Sequence, residues 1–217
     1  MLTELPDPIT LIGTLAALAL VPFIAIMVTS FVKLAVVLTL IRNALGVQQI
    51  PPNSAIYGLS IILTIYIMAP VGLSAYETLK DKPLDIAEGE AFLSNLEEAA
   101  QPFKEFLIRN VDPAQQDFFK RTTELIWPKE QSDLVTRDSY FVLIPAFTLS
   151  ELTAAFEIGF LIYLPFVVID LIISNILLAM GMMMVSPMTI SLPFKLFLFV
   201  MVDGWTRLVH GLVLSYQ

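Results

Sequence analysis

Seven ionisable side chains sit inside or at the ends of strongly apolar stretches: Lys33, Glu151, Glu157, Asp170, Lys195, Asp203 and Arg207. Insertion scales put the cost of a charge at a membrane-helix centre at roughly 2.5 to 3.5 kcal/mol, so such residues are paired, hydrated or within reach of headgroups. Glu151, Lys195 and Arg207 fall near segment ends, where snorkelling along an apolar surface is the plain account. Asp170 is flanked by Val167-Val-Ile and Leu171-Ile-Ile, and its short side chain cannot snorkel. It should meet a cation or line a wet interface. The set suits ion pairs between helices, or a proton or ion relay using Lys33, Asp170 and Asp203, as in a transporter or channel.

A second group is Met180-Gly-Met-Met-Met-Val-Ser-Pro-Met188, which holds five of the nine methionines. Methionine is unbranched and polarizable, so it fills irregular spaces and re-packs around varied neighbours. Packing at a hairpin tip is the simple reading. A ring of such loops around a symmetry axis would instead make a deformable apolar seal.

Enzymatic chemistry lacks an inventory. The chain has no cysteine and a single histidine, His210, so thiolate chemistry, disulfides and a shared-histidine metal site have no ligands. A serine–histidine triad would depend on that one histidine, and no glycine-rich phosphate loop occurs. No cofactor and no metal are expected. A net charge of -8 argues against a nucleic-acid partner, which needs clustered Lys and Arg.

The elements that must carry these residues are apolar helices. Hydrophobic residues make up 57% and charged residues 15%, with a mean hydropathy of +0.79, which points to a bilayer or apolar subunits as surroundings. The first run, Ile9 to Ile41, is long enough to span, and Pro22 should kink it. Arg42 and Gly46 end it, and a short loop through Pro51 and Pro52 leads to a second run, Ala55 to Ala75, capped by Asn53 or Ser54 and carrying Pro70. These form a first hairpin within 1–76. Residues 77–138 hold 8 of the 12 basic and 14 of the 20 acidic residues, with apolar Phe92, Leu96, Ala99, Phe103, Phe106 and Leu107 at helical spacing. They read as a small acidic helical domain.

Residues 139–217 give the segments Tyr140 to Leu149, Leu152 to Val185 and Phe194 to Tyr216, with Ser186 to Pro193 as the turn of a second hairpin. The expected fold class is an all-α membrane protein, two long kinked helical hairpins flanking the acidic domain. Four crossings would place the loops of Arg42 and Lys195 in the cytoplasm and the acidic block with both termini outside. The stretch Met1 to Pro8 has no basic leader or small-residue cleavage site, so the first apolar run is expected to be retained. Gly13 with Ala17, Ser54 with Gly58, and Ala155 with Gly159 are small-residue pairs that permit close helix contact.

Several stretches resemble the FliP/YscR (SctR) proteins of flagellar and virulence type III secretion export gates. They are Ser30-Phe-Val-Lys33, Leu40-Ile-Arg-Asn-Ala-Leu-Gly-Val-Gln-Gln-Ile-Pro-Pro-Asn53, Ser150-Glu-Leu152, Ala155-Phe-Glu-Ile-Gly-Phe160, Leu164-Pro-Phe-Val-Val-Ile-Asp170, Met180-Gly-Met-Met-Met184, Leu192-Pro-Phe-Lys195 and Val202-Asp-Gly-Trp205. The resemblance covers nearly the whole chain, with little signature in the acidic block. Glu157 and the N-terminal stretch look more like the virulence branch.

The resemblance implies a pore subunit in the bacterial inner membrane, about five copies joined to S-type and T-type partners in a helical cone that passes unfolded secreted proteins. It implies a gasket at Met182, Met183 and Met184, and a charge pair between neighbours from Glu151 to Lys195. It also implies that the cone sits partly above the bilayer, so that several apolar helices meet protein instead of lipid.

Overall fold

The computed structural model describes residues 8–47, 49–81 and 89–217, and among these the secondary structure is helical without strands. The expectations placed on Met1 to Asp7 and on the Phe92 side chain lie outside the described part. In chain order the helices are α1 Pro8–Met27, α2 Phe31–Leu45, α3 Asn53–Asp81, α4 Gly89–Asn110, α5 Pro113–Ile126, α6 Lys129–Ser132, α7 Tyr140–Ala179, α8 Pro187–Met201 and α9 Gly204–Leu214.

Helices α3 and α7 are each long and apolar enough to cross a membrane. The bent pairs α1–α2 and α8–α9 reach the same length only when each pair is taken as one span, with bends of 61° and 60°. The first bend is not at Pro22, which the α1 helix absorbs, but at Val28–Ser30. A proline in a helix loses one backbone bond, whereas at the break a side chain competes for the backbone acceptors: Thr29 Oγ1 donates to the Ala25 carbonyl. Thr148 of α7 donates to the Met27 carbonyl at 3.1 Å and steadies the break from outside.

Two cores hold the helices together. The first is built around α2, whose Leu34, Val37, Leu38, Ile41, Ala44 and Leu45 are all buried against Ile56, Ala155, Phe166, Phe199, Leu208 and Leu212. Burying a Leu, Ile or Phe side chain contributes about 1.5 to 3 kcal/mol, so α2 is the central post of this half. Its contact with α7 is close: a Cβ on Gly159 would fall 2.3 Å from Leu40 Cδ1. The Ala155/Gly159 pair therefore acts as the small-residue spacing predicts, whereas a Cβ on Gly13 or Gly58 would meet nothing.

The second core joins Met68 of α3, Phe106 and Leu107 of α4, Val111, and Leu143, Ala146 and Phe147 of α7. The helices of the acidic stretch thus share their core with the long helices. Of the apolar positions foreseen in α4, Ala99, Phe106 and Leu107 are buried and Leu96 is exposed. Helix α3 runs on to Asp81, past the boundary expected at 76. Asp112 caps α5 by accepting from the Ala114 N–H at 2.9 Å, with Pro113 at the first helical position. The Asp112 N–H in turn donates to Ser150 Oγ of α7.

Helix α7 is one uninterrupted element of 40 residues, about 60 Å long, twice the thickness of a bilayer's hydrocarbon core. Ser150 and Glu151, expected between two segments, are inside it. The turn after it is also earlier than expected. Residues 180–186 make the turn on Gly181, at φ 71°, while Pro187 opens α8 and Pro193 lies within it. Proline at the first helical position costs no backbone bond, which is why Pro187 can open α8; Pro193, inside the helix, leaves one carbonyl of the preceding turn without its helical donor.

Candidate functional site

The embedded charges gather into two separate clusters. In the first, Lys33 from the opening turns of α2 meets Glu151 from the middle of α7 at 3.0 Å, with both side chains almost wholly buried. Tyr216 closes the cluster: its hydroxyl donates to Glu151 Oε2, and Lys33 Nζ lies 3.9 Å from the centre of its ring. Ser150 Oγ donates back to the Ala146 carbonyl and accepts from Asp112, so the neighbouring backbone is also satisfied. This cluster opens on a polar cleft of about 340 Å³ that Arg109, Asn110 and Glu157 also line.

In the second cluster Lys195 of α8 meets Asp170 of α7 at 2.6 Å. Ser191 Oγ donates to the other Asp170 oxygen at 2.6 Å, and Lys195 Nζ also donates to the Ala44 carbonyl at 3.2 Å. That carbonyl belongs to the last turn of α2, where acceptors are left over and the helix dipole favours a cation. Asp170 thus meets a cation, one of the two surroundings expected for it, with its side chain 35% exposed.

Glu151 and Lys195 are thus each neutralised within the chain, by Lys33 and Asp170, rather than left unpaired for one another. A bond between them across two copies would require both to exchange partners. Of the charges expected to be buried, Glu157, Asp203 and Arg207 lie at the chain's surface. Asp203 has a structural task there. At φ 53° it turns the chain between α8 and α9 and accepts from Thr206 Oγ1 at 3.0 Å at the start of α9. Its neighbour Gly204 leaves room for the Phe199 ring, 2.4 Å from where a Cβ would stand. Lys33, Asp170 and Asp203 belong to three different sets of contacts, with no bond joining them into a relay.

The methionines stand apart from both clusters. Met182, Met183 and Met184 occupy the α7–α8 turn with exposures of 46%, 82% and 101%. Packing within the chain does not hold them. Sequence reasoning missed Tyr216 and Ser191, which carry no signal of their own until the fold brings them to a buried charge.

Fold and site together define a multi-span helical membrane protein whose internal charges hold helices to one another. The model of the FliP family matches residues 14–212, and the chain belongs to that family, as the sequence motifs led one to expect. It is 59% identical to "Yop proteins translocation protein R" of Yersinia pestis over 98% of each chain. It is 49% identical to "Virulence protein YscR" of Salmonella typhimurium, covering 99% of this chain and 100% of that one. It is also 47% identical to "Harpin secretion protein HrcR" of Erwinia amylovora over the full length of both.

Proposed function

We propose that this chain is a pore-forming subunit of a type III secretion export gate in the bacterial inner membrane, sealing and opening the path of unfolded secreted proteins. The observation that carries this reading is the exposed triplet Met182–Met184 at the tip of a hairpin. Large apolar side chains held out at a tight turn call for a partner, and flexible thioethers suit a partner that changes shape. About five copies, joined to S-type and T-type proteins, would bring the tips to a common axis and close it when no substrate passes.

The long apolar helices fit such an assembly. The most apolar windows of α3 and α7 are only 11% buried within the chain, leaving broad faces for lipid and for neighbouring subunits. In this reading the acidic stretch and both termini lie outside the cytoplasm, and the work of export is supplied by other subunits. Replacing Met182, Met183 and Met184 together by alanine should make the resting gate conduct ions. An unchanged conductance in a normally assembled complex would sink the proposal.

A further inference from the structure

We infer that Asp170, Lys195 and Ser191 form a positioning clamp that sets where the methionine tip stands relative to the end of α2. The inference rests on the reading of Met182–Met184 as a seal, and deepens it by naming what holds the seal in place. The tip's side chains are exposed, and its backbone, a tight turn on Gly181 in which the Met182 N–H donates to the Leu177 carbonyl at 2.9 Å, ties it to the end of α7. Whatever fixes it must act from the base of the α7–α8 hairpin.

Three elements meet at that base. Asp170 is ten residues before Met180 on α7, and Lys195 is eight residues after Pro187 on α8. The carboxylate is held on both oxygens, by Lys195 at 2.6 Å and Ser191 at 2.6 Å. Ser191 is fully buried and Lys195 is 3% exposed, so both donors are held away from water, while the Asp170 side chain keeps 35% of its surface exposed. The same ammonium reaches the Ala44 carbonyl, tying the hairpin to the C-terminal turn of α2. Gly46, at φ 74°, ends α2 beside this point: a Cβ there would lie 3.9 Å from Lys195 Nζ, Leu192 Cδ1 and Met188 Cγ.

The geometry makes a lever. Ten helical residues place the tip about 15 Å beyond Asp170, so a tilt of about 10° at the clamp moves the methionines by about 3 Å. That is comparable to the thickness of the methionine side chains themselves. The charge pair also resists tilt in more than one direction, because a single ammonium is shared between α7 and α2.

Because the chain has no cysteine, Met184→Cys on the tip and Ile50→Cys on the exposed α2–α3 loop take two spin labels selectively. The distance between them is read by pulsed electron paramagnetic resonance in the full chain expressed with its native partners, labelled copies diluted among unlabelled ones. Lys195→Met keeps the apolar stem and removes the charge, and should widen the distribution by about 3 Å, the displacement the lever allows. Asp170→Asn and Ser191→Ala should widen it progressively less, and the exchange of Asp170→Lys with Lys195→Asp should narrow it again. A distribution as narrow as the parent's in whichever of the three single variants accumulates overturns the clamp. Ionic conductance measured on complexes carrying the same single variants with Met184 intact separates the two readings: a wider tip without a leak leaves the clamp standing and counts against the seal.

Discussion

Removing Lys33 or Glu151 alone should cost far more than removing both. The pair is 3.0 Å apart with side-chain exposures of 6% and 3%, so solvent does little to screen it. At an effective dielectric of about 20, opposite charges at that separation attract by about 5 kcal/mol, and leaving one buried charge without its partner costs about 3 to 5 kcal/mol. Stabilities of ordinary domains are about 5 to 15 kcal/mol, so Lys33→Met or Glu151→Met alone should remove a large part of what holds the chain folded. The combination of Lys33→Met with Glu151→Met eliminates both charges. What remains is the Tyr216 hydroxyl without its acceptor, a cost of about 1 to 3 kcal/mol.

The coupling can be read from a double-mutant cycle, following loss of helical circular dichroism on titration from mild detergent into a denaturing one. A second cycle between Glu151 and Lys195 is the control, and should show near-additive effects. Additive losses between Lys33 and Glu151, or coupling confined to Glu151 with Lys195, would refute the reasoning. The second outcome would mean that the charges exchange partners when copies assemble.

Three further perturbations follow from the packing. Gly159→Ala forces a methyl group onto Leu40 Cδ1, and should destabilise the α2–α7 contact by about 1 to 3 kcal/mol in the same assay, with partial rescue by Leu40→Ala. Gly46→Ala places a side chain at φ 74° and should cost about 1 kcal/mol, while Gly46→Asn, which tolerates that region, should cost less. Tyr216→Phe keeps the ring over Lys33 and removes only the donor to Glu151, so a loss of about 1.5 to 3 kcal/mol is expected; no loss would show that the hydroxyl is dispensable.

Much of this was legible in the residues because apolar runs and embedded charges speak for themselves in a chain this hydrophobic. The helical class and the family motifs could be read directly, whereas Asp170 left a choice between a cation and a wet interface, and Ala155 with Gly159 was one of three small-residue pairs of which the others make no close contact within the chain. Partnership could not. Lys33 and Glu151 are more than a hundred residues apart, and only the packing of α2 along α7 brings them together. The break at Val28–Ser30 was hidden because Pro22 is the louder local signal, yet a helix can carry a proline when the surroundings restore what it loses. The sharing of a core between α4 and α7 was also hidden, since the charge of residues 77–138 suggests a separate body while Phe106 and Leu107 point inward. Asp203 reads as a buried charge by its apolar flanks and proves to be a turn residue at the surface.

In the proposed gate the methionine tips of several copies meet one another. Met183→Cys supplies the sole thiol in the chain, and mild oxidation of the assembled complex in native membranes tests the meeting directly. Disulfide-linked chains at twice the monomer mass, absent when the cysteine is placed instead at Leu125 in α5, are the predicted result. Chains that stay monomeric under oxidation, in a complex shown to be intact, would contradict it.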